Sequence, residues 1–211
     1  MKSLIFTFAL FFIFAQHLLA DNGYEQAMKK GMDDLQNAGS PEAMNQVANY
    51  FERIASVETV QWLPNYYAAY IRINLGFMEQ SDEQLDQVQT HLDQMMNKQK
   101  DESEVMALQG YLHMIRISLD PANHGPQLAP KTLETLSKAV QMNPENPRAL
   151  MLLAQMQYGT AQFFKSDTGE ACQMVAKSLT LFEQEKVAST FSPAWGKEIA
   201  QSIQQECKEG E

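Results

Sequence analysis

Cys172 and Cys207 are the only cysteines in this 211-residue chain, and they are the residues best suited to covalent chemistry. Cys172 lies in the first turn of a predicted helix at 168–185, and Cys207 ends a second predicted helix at 193–207. If these helices are antiparallel neighbours, a disulfide is possible where the two Cα atoms approach within about 7 Å. Two unpaired thiols are the alternative. A catalytic thiol is not expected, because no histidine lies near either cysteine in sequence.

Three histidines beyond the first twenty residues are the next candidates for chemistry: His91, His113 and His124. A zinc site needs three or four ligands that converge from spaced motifs such as HExxH, and the sequence contains none. We expect His91 to be a solvated side chain at the polar edge of a helix, His113 to face a groove, and His124 to lie in a loop. No metal site and no cofactor is therefore predicted.

The remaining motifs of catalysis are absent from the sequence. No GxSxG, phosphate-binding loop or dinucleotide fingerprint occurs. The acidic residues fall mostly at helix starts or on solvent faces, and no pair stands out as suitable for glycoside hydrolysis. We assign no catalytic residue and expect a protein that is not an enzyme.

The first twenty residues (1–20) have the pattern of a secretory signal. A short basic start is followed by an uncharged apolar run, Leu4 to Phe14, and the segment ends in the small residue Ala20. We predict cleavage after Ala20, which leaves 21–211 as a single domain without a stable membrane anchor. An uncleaved anchor is the alternative, because Leu18 is larger than the residue usually found two positions before the cut. The expected location is the periplasm or the exterior of a bacterial cell.

The charge of the chain restricts its partners. It has 16 Lys and Arg against 26 Asp and Glu, a net charge of −10 at pH 7. An acidic surface repels phosphate groups, so neither nucleic acid nor anionic lipid is an expected partner.

Apolar residues recur with a period near 3.6 along almost the whole chain, which predicts an all-α protein. Ser40-Pro41 and Ser192-Pro193 each have the pattern of a helix start, and Gly76 that of a helix end. Two longer connections are predicted, at 119–130 and 159–168. The about nine predicted helices span 24–37, 41–56, 62–77, 82–98, 102–118, 127–142, 147–160, 168–185 and 193–207.

The stretch KAVQMNPENPRALMLLAQ, at 138–155, places two prolines between two helical segments. Pro144 cannot continue the first helix, and Pro147 suits the first position of the second. This corner resembles the junction between tetratricopeptide repeats, which are helix pairs of 34 residues. The matching positions are Thr132, Leu136, Ala139 and Pro144 on one side and Leu150, Leu153 and Ala154 on the other.

The chain as a whole resembles exported, degenerate tetratricopeptide-repeat proteins of Bacteroidota-type bacteria, including a terminal Trp-Gly helix in SPAWGKE. The resemblance implies antiparallel helix pairs stacked as a short right-handed solenoid with a C-terminal capping helix. An ordinary helical bundle is the alternative. In the carboxylate-clamp version of the family an asparagine stands where this chain has Leu152, so recognition of chaperone tails is not expected.

The resemblance also implies a concave groove that binds an extended partner. The family's groove positions, carried over residue by residue, are Trp62, Asn65, Arg72, Met106, His113, Arg148, Met151, Gln155 and Tyr158. The expected function is that of a non-enzymatic scaffold that binds a protein or peptide segment. The alternative is a periplasmic small-ligand binder or enzyme with its site in the connections 119–130 and 159–168.

Overall fold

The computed structural model describes residues 23–96, 98, 102–186 and 189–209, and all regular secondary structure in these ranges is helical. The all-α prediction is confirmed. The predicted leader 1–20 and its predicted cleavage site lie outside the described residues. The helices are α1 (23–37), α2 (Pro41–Val57), α3 (Leu63–Glu79), α4 (Asp82–Met96), α5 (Glu102–Leu119), α6 (Pro121–Met142), α7 (Pro147–Phe164), α8 (Gly169–Gln184) and α9 (Lys197–Glu209).

From α2 to α9, each helix packs against the next one in the chain. In addition, α5 contacts both α3 and α7, and α7 contacts α9. The odd-numbered helices from α3 to α9 therefore form one continuous layer, and the even-numbered helices pack beside it. Of the positions that match the repeat pattern, Leu136, Ala139 and Ala154 are fully buried.

The prediction of two long connections is wrong. Most of 119–130 is helical, because Asp120 caps α6 by accepting a 3.2 Å hydrogen bond from the backbone N–H of Asn123. Pro126 and Pro130 lie inside α6 on exposed positions, where water can solvate the carbonyls that lose their partners. Likewise, α7 continues to Phe164 and shortens the second connection.

The predicted helix limits are right at Ser40 and wrong at Ser192 and Gly76. Ser40 accepts a 3.2 Å hydrogen bond from the N–H of Ala43 and caps α2. Ser192 instead accepts a bond from the N–H of Ser189 within a non-helical segment, and α9 begins only at Lys197. Gly76 lies inside α3, where an added Cβ would come within 2.4 Å of Leu85 Cδ2. Its role is therefore to let α3 and α4 approach closely.

The first turn of α8 is joined to the end of α9 by a disulfide. Cys172 and Cys207 are bonded with an Sγ–Sγ distance of 2.00 Å and a Cα–Cα distance of 5.8 Å. Around the bridge, Tyr158, Val175 and Ile203 form a small apolar cluster separate from the main core. The bridge thus joins α9 to α8, and the apolar cluster around it packs both helices against α7.

Candidate functional site

Trp195, in the non-helical segment 189–196, packs against the layer of odd-numbered helices at α3 and α5. Its ring stacks between those of Tyr70 and Tyr111, with centroid distances of 4.9 and 5.5 Å and interplanar angles of 24° and 25°. The segment is also held by the hydroxyl of Tyr67, which donates to the carbonyl of Phe191 over 2.9 Å. The chain's own segment therefore covers part of the surface formed by α3 and α5.

A chain of buried polar groups starts at Trp195 and ends at Arg148. The indole N–H of Trp195 donates to the Tyr66 hydroxyl over 2.9 Å, and that hydroxyl donates to Glu104 Oε2 over 3.0 Å. The other oxygen of Glu104 accepts from Arg148 Nε over 2.8 Å. Burial, more than the neighbouring Glu104 charge, raises the pKa of Tyr66 well above its ordinary value, so this residue stays a neutral hydroxyl.

Arg148 also binds a second carboxylate, on its outer edge. Its Nη1 donates to Glu185 Oε2 over 3.2 Å, and its Nη2 donates to Glu185 Oε1. The side chain of Glu185 is 25% exposed, whereas that of Glu104 is only 6% exposed. Burial alone would lower the pKa of Arg148, but the charges of Glu104 and Glu185 raise it. The guanidinium is therefore a permanent cation between two carboxylates.

Local structure at the start of α7 positions Arg148. Asn146 caps this helix by accepting from the backbone N–H groups of Arg148 and Ala149 over 3.0 and 3.1 Å. The amide of Asn146 donates to Ser103 Oγ over 2.9 Å, and Ser103 Oγ donates to the carbonyl of Ala139. The NPENP corner thus ties the first turn of α7 to α5 and α6, and it fixes the backbone position from which the Arg148 side chain extends.

A cavity of about 950 Å³ lies beside this guanidinium. Its volume is within the range of pockets that bind small molecules and cofactors. Its wall has apolar parts from Trp62, Leu181 and Pro193 and cationic parts from Arg148 and Lys186. Three carboxylates, those of Glu104, Glu145 and Glu185, line it as well. The cavity can therefore hold an amphipathic ligand with an apolar body and an anionic group.

A second buried polar cluster joins α2, α3 and α4. Arg72 Nε donates to Glu52 Oε1 over 2.6 Å, and the other guanidinium nitrogens donate to side-chain oxygens of α2 and α4. His91 has Nε2 3.3 Å from Glu52 Oε1 and Nδ1 3.2 Å from Asn65 Oδ1. His91 is 9% exposed, so the prediction of a solvated side chain is wrong. The reason is that two polar partners on other helices enclose it.

Glu52 is the residue of this cluster whose pKa is strongly shifted. Burial would raise the pKa of its carboxyl group, but hydrogen bonds from His91 and Arg72 outweigh that effect and lower the pKa to about 2. Glu52 therefore carries its negative charge throughout the neutral and mildly acidic range. The cluster satisfies Arg72 and supports the packing of three helices.

His113 is the second buried histidine. It is 5% exposed, and its Nε2 lies 2.9 Å from Gln109 Nε2. Burial, with smaller contributions from the charges of Lys131 and Arg116, lowers the pKa of His113 to about 4. The imidazole is therefore neutral at pH 7. Among the described residues, no group of three or more His, Cys, Asp and Glu side chains is arranged to hold a metal ion.

The structure brings two of the nine predicted groove residues, Trp62 and Arg148, to the cavity. Asn65 and Arg72 lie in the cluster of α2, α3 and α4, while Tyr158 packs near the disulfide. The remaining four do not line the cavity; Met151 and His113 are buried, and Met106 and Gln155 are half-buried. The family positions assume an open inner surface, whereas here the segment 189–196 lies against it.

Three residues that organise the cavity were missed by the sequence analysis. Glu104 belongs to the acidic run KDESE, which has the pattern of a solvent-facing helix start, and Glu185 ends a helix with no distinguishing motif. The sequence predicts Trp195 only as part of the terminal helix, whereas it lies in the non-helical segment before α9. The scarcity of basic residues was the one available signal, because a buried arginine needs carboxylate partners.

None of the helices in the described ranges combines the length and the apolar character that crossing a bilayer requires.

Comparisons with known proteins give one informative likeness. No protein-family model matches the chain, and no curated protein sequence matches it. Among solved structures, the chain is similar to the HusA haemophore from Porphyromonas gingivalis, with a TM-score of 0.79 and 26% sequence identity. The match covers 89% of this chain and 94% of that chain. The likeness therefore extends over nearly the whole helical array and is not limited to one helix pair.

Proposed function

We propose that the protein is an exported, non-catalytic carrier of haem or a closely related porphyrin, and that the ligand binds in the cavity beside Arg148. The observation that carries this proposal is the similarity, at a TM-score of 0.79 over 89% of the chain, to a protein named as a haemophore. A haemophore is a haem carrier. The leader 1–20 supports export of the chain to the periplasm or beyond.

The cavity supports the proposal chemically. Haem has a flat apolar macrocycle and two carboxylates, and it needs an apolar wall with cations at one side. Trp62 and Leu181 supply apolar surface, and Arg148 and Lys186 supply positive charge. Glu104, Glu145 and Glu185 also line the cavity, and Glu104 and Glu185 pair with Arg148, so a ligand carboxylate has to compete for this cation. The described residues that line the cavity include no histidine, cysteine, methionine or tyrosine. Binding is therefore expected to depend on the apolar wall and the carboxylate contacts, without an axial side-chain ligand from that lining.

A titration with haemin tests the proposal. Addition of haemin to the chain 21–211 is expected to give a saturable change in Soret absorbance and to quench tryptophan fluorescence. Trp62→Ala should weaken binding by about tenfold, since one buried aromatic contact is worth roughly 1–2 kcal/mol. The spectrum is expected to lack the features of histidine-ligated haem.

Phe163→Ser is the matched control for Trp62→Ala. Phe163 is an exposed aromatic residue of α7, about 22 Å from Arg148 along the helix axis at 1.5 Å per residue. The control variant should bind haemin like the unmodified chain. The proposal is wrong if haemin does not bind saturably, or if the two variants weaken binding equally.

A second candidate function is the capture of a protein segment, and one observation favours it. Phe163 and Phe164 are 79% and 71% exposed, with their rings in edge-to-face contact at a centroid distance of 5.0 Å. Exposed aromatic pairs of this kind are enriched where proteins meet. The test is a double variant, Phe163→Ser with Phe164→Ser, which should abolish capture of a protein partner and leave haemin binding unchanged. If the double variant still captures the protein partner, this second candidate function is wrong.

A further inference from the structure

The two edges of the Arg148 guanidinium are held differently. The inner edge donates through Nε to Glu104, a side chain that is 6% exposed and also accepts from Tyr66. The outer edge donates through Nη1 and Nη2 to the two oxygens of Glu185, whose side chain is 25% exposed. The inner contact is therefore enclosed by the core, while the outer contact lies at the wall of the cavity.

We propose that the outer edge of Arg148 is the recognition site for a carboxylate of the ligand, and that Glu185 holds this site until the ligand displaces it. The identity of the ligand as a porphyrin rests on the proposed function. A ligand carboxylate and the Glu185 carboxylate are the same chemical group, so either satisfies the same pair of N–H donors in bidentate geometry. The exchange keeps the buried guanidinium paired at every stage.

The backbone at Glu185 permits this exchange. Glu185 is the residue after the last helical position of α8, and its φ and ψ of −59° and 118° are not helical. Its side chain is itself 25% exposed, so it already has access to solvent. Arg148 itself stays in place, because Glu104 holds Nε and the capped first turn of α7 holds its backbone.

Electrostatics makes Glu185 a determinant of affinity and specificity. A ligand carboxylate cannot lie beside Arg148 while Glu185 is bound there, since two carboxylates would compete for one cation. A stronger contact between Glu185 and Arg148 therefore gives a lower affinity for anionic ligands. A neutral apolar compound offers no replacement for the Glu185 charge, so its binding leaves the contact between Glu185 and Arg148 in place.

The test measures haemin affinity in four proteins: the unmodified chain and the variants Glu185→Gln, Glu185→Asp and Glu145→Gln. Glu185→Gln weakens the competing contact and should raise haemin affinity about tenfold, as expected for loss of one charge-assisted hydrogen-bond pair. Glu185→Asp keeps the charge but shortens the side chain, and it should raise affinity by a smaller factor. Glu145→Gln removes a charge from the same cavity without releasing Arg148, so its effect should stay within about twofold.

Haemin dimethyl ester, which lacks both carboxylates, provides a second measurement. Its affinity should be the same for the unmodified chain and for Glu185→Gln, because the ester cannot replace Glu185 on the guanidinium. Circular dichroism of each variant checks that the helices are retained. If Glu185→Gln does not fold, the comparison between Glu185→Asp and the unmodified chain still decides the question.

The outcomes separate this inference from the proposed function. Haemin binding that is equal in the unmodified chain and both Glu185 variants would overturn the displacement and leave the haem carrier intact. Equal gains for Glu185→Gln and Glu145→Gln would also overturn it, since they would show an effect of net charge alone. An absence of haemin binding in all four proteins would overturn both proposals.

Discussion

The indole N–H of Trp195 donates a 2.9 Å hydrogen bond to the hydroxyl of Tyr66, although 129 positions separate the two residues. Tyr66 is fully buried, and its hydroxyl in turn donates a hydrogen bond to Glu104 Oε2 over 3.0 Å. The segment 189–196 is thus joined to the same polar chain that holds Arg148. Its attachment should affect both the stability of the fold and the shape of the cavity.

Replacement of Trp195 should reveal how much this attachment stabilises the protein. Trp195→Ala removes a ring stacked between Tyr70 and Tyr111 and should lower the free energy of unfolding by about 3–5 kcal/mol. Trp195→Phe keeps a stacked ring but loses the N–H donor, and it should cost about 1–2 kcal/mol. Equilibrium urea denaturation measures both values. Equal stability of Trp195→Ala and the unmodified chain would contradict the structural role.

The disulfide should stabilise the last two helices. Cys172 and Cys207 are 35 positions apart, and closure of a loop of this length is worth about 3–4 kcal/mol in the chain-entropy model. The double variant Cys172→Ala with Cys207→Ala should therefore unfold at lower urea concentration than the oxidised chain. Intact mass should rise by about 2 Da on reduction, because two thiols replace one bridge. A mass that does not change with reductant would show that the bridge is absent.

Two helical glycines should respond in opposite directions to the same substitution. A Cβ at Gly110 would come within 2.3 Å of Leu136 Cδ2, whereas a Cβ at Gly159 would meet nothing within 4 Å. Gly110→Ala should destabilise the protein by about 1–3 kcal/mol through overpacking of α5 against α6. Gly159→Ala should stabilise it by up to about 1 kcal/mol, because alanine is the better helix former. Thermal unfolding of both variants makes the comparison, and a loss of equal size at the two sites would contradict it.

Glu52 should make stability depend on pH in the acidic range. Hydrogen bonds from His91 and Arg72 lower its pKa from 4.5 to about 2 in the folded protein. Since the folded-state pKa is the lower one, the contribution of Glu52 is present above pH 4.5 and is lost as the pH falls towards about 2. Urea denaturation at a series of pH values should show this loss. In Glu52→Gln the decline across the same interval should be smaller; an identical decline would exclude Glu52 as its source.

His113 should act in a separate and higher pH interval. Burial lowers its pKa from 6.5 to about 4, so the unfolded chain takes up the proton before the folded protein does. Its contribution to stability is therefore present above pH 6.5 and is lost as the pH falls through about 4. His113→Gln, which is neutral at every pH, should flatten the stability profile between these values. An unchanged profile in His113→Gln would exclude His113 as the source of this pH dependence.

The local features of the fold were predictable from the sequence because each depends on neighbouring residues. A period near 3.6 in apolar residues predicts helices, and the cap at Ser40 uses a backbone N–H only three positions ahead. The prolines of NPENP mark a corner for a steric reason that also acts within a few residues. The same steric argument fails at Pro126 and Pro130, which lie within α6. The helix starts at the Asp120 cap, and both prolines are on its solvent-exposed side, so α6 continues through them.

The candidate site was predictable only in part, at Trp62 and Arg148. Both came from the positions that the repeat resemblance assigns to an inner surface, and the structure places both at the cavity. The partners of Arg148 were not predictable, since Glu104 is 44 positions before it and Glu185 is 37 positions after it. No periodic pattern relates residues at such separations. The repeat resemblance and a protein partner for the groove stay predictions.

The sequence by itself determined the helical character of the chain, most helix limits, the acidic charge and the pattern of an export leader, because these properties arise from composition and short-range sterics. Only the tertiary structure decided that Trp195 lies between two tyrosines, that His91 is buried, and that Arg148 lies between two carboxylates. These arrangements depend on how helices far apart in sequence pack together. Packing selects, from many acidic and aromatic side chains, the few that meet inside the array.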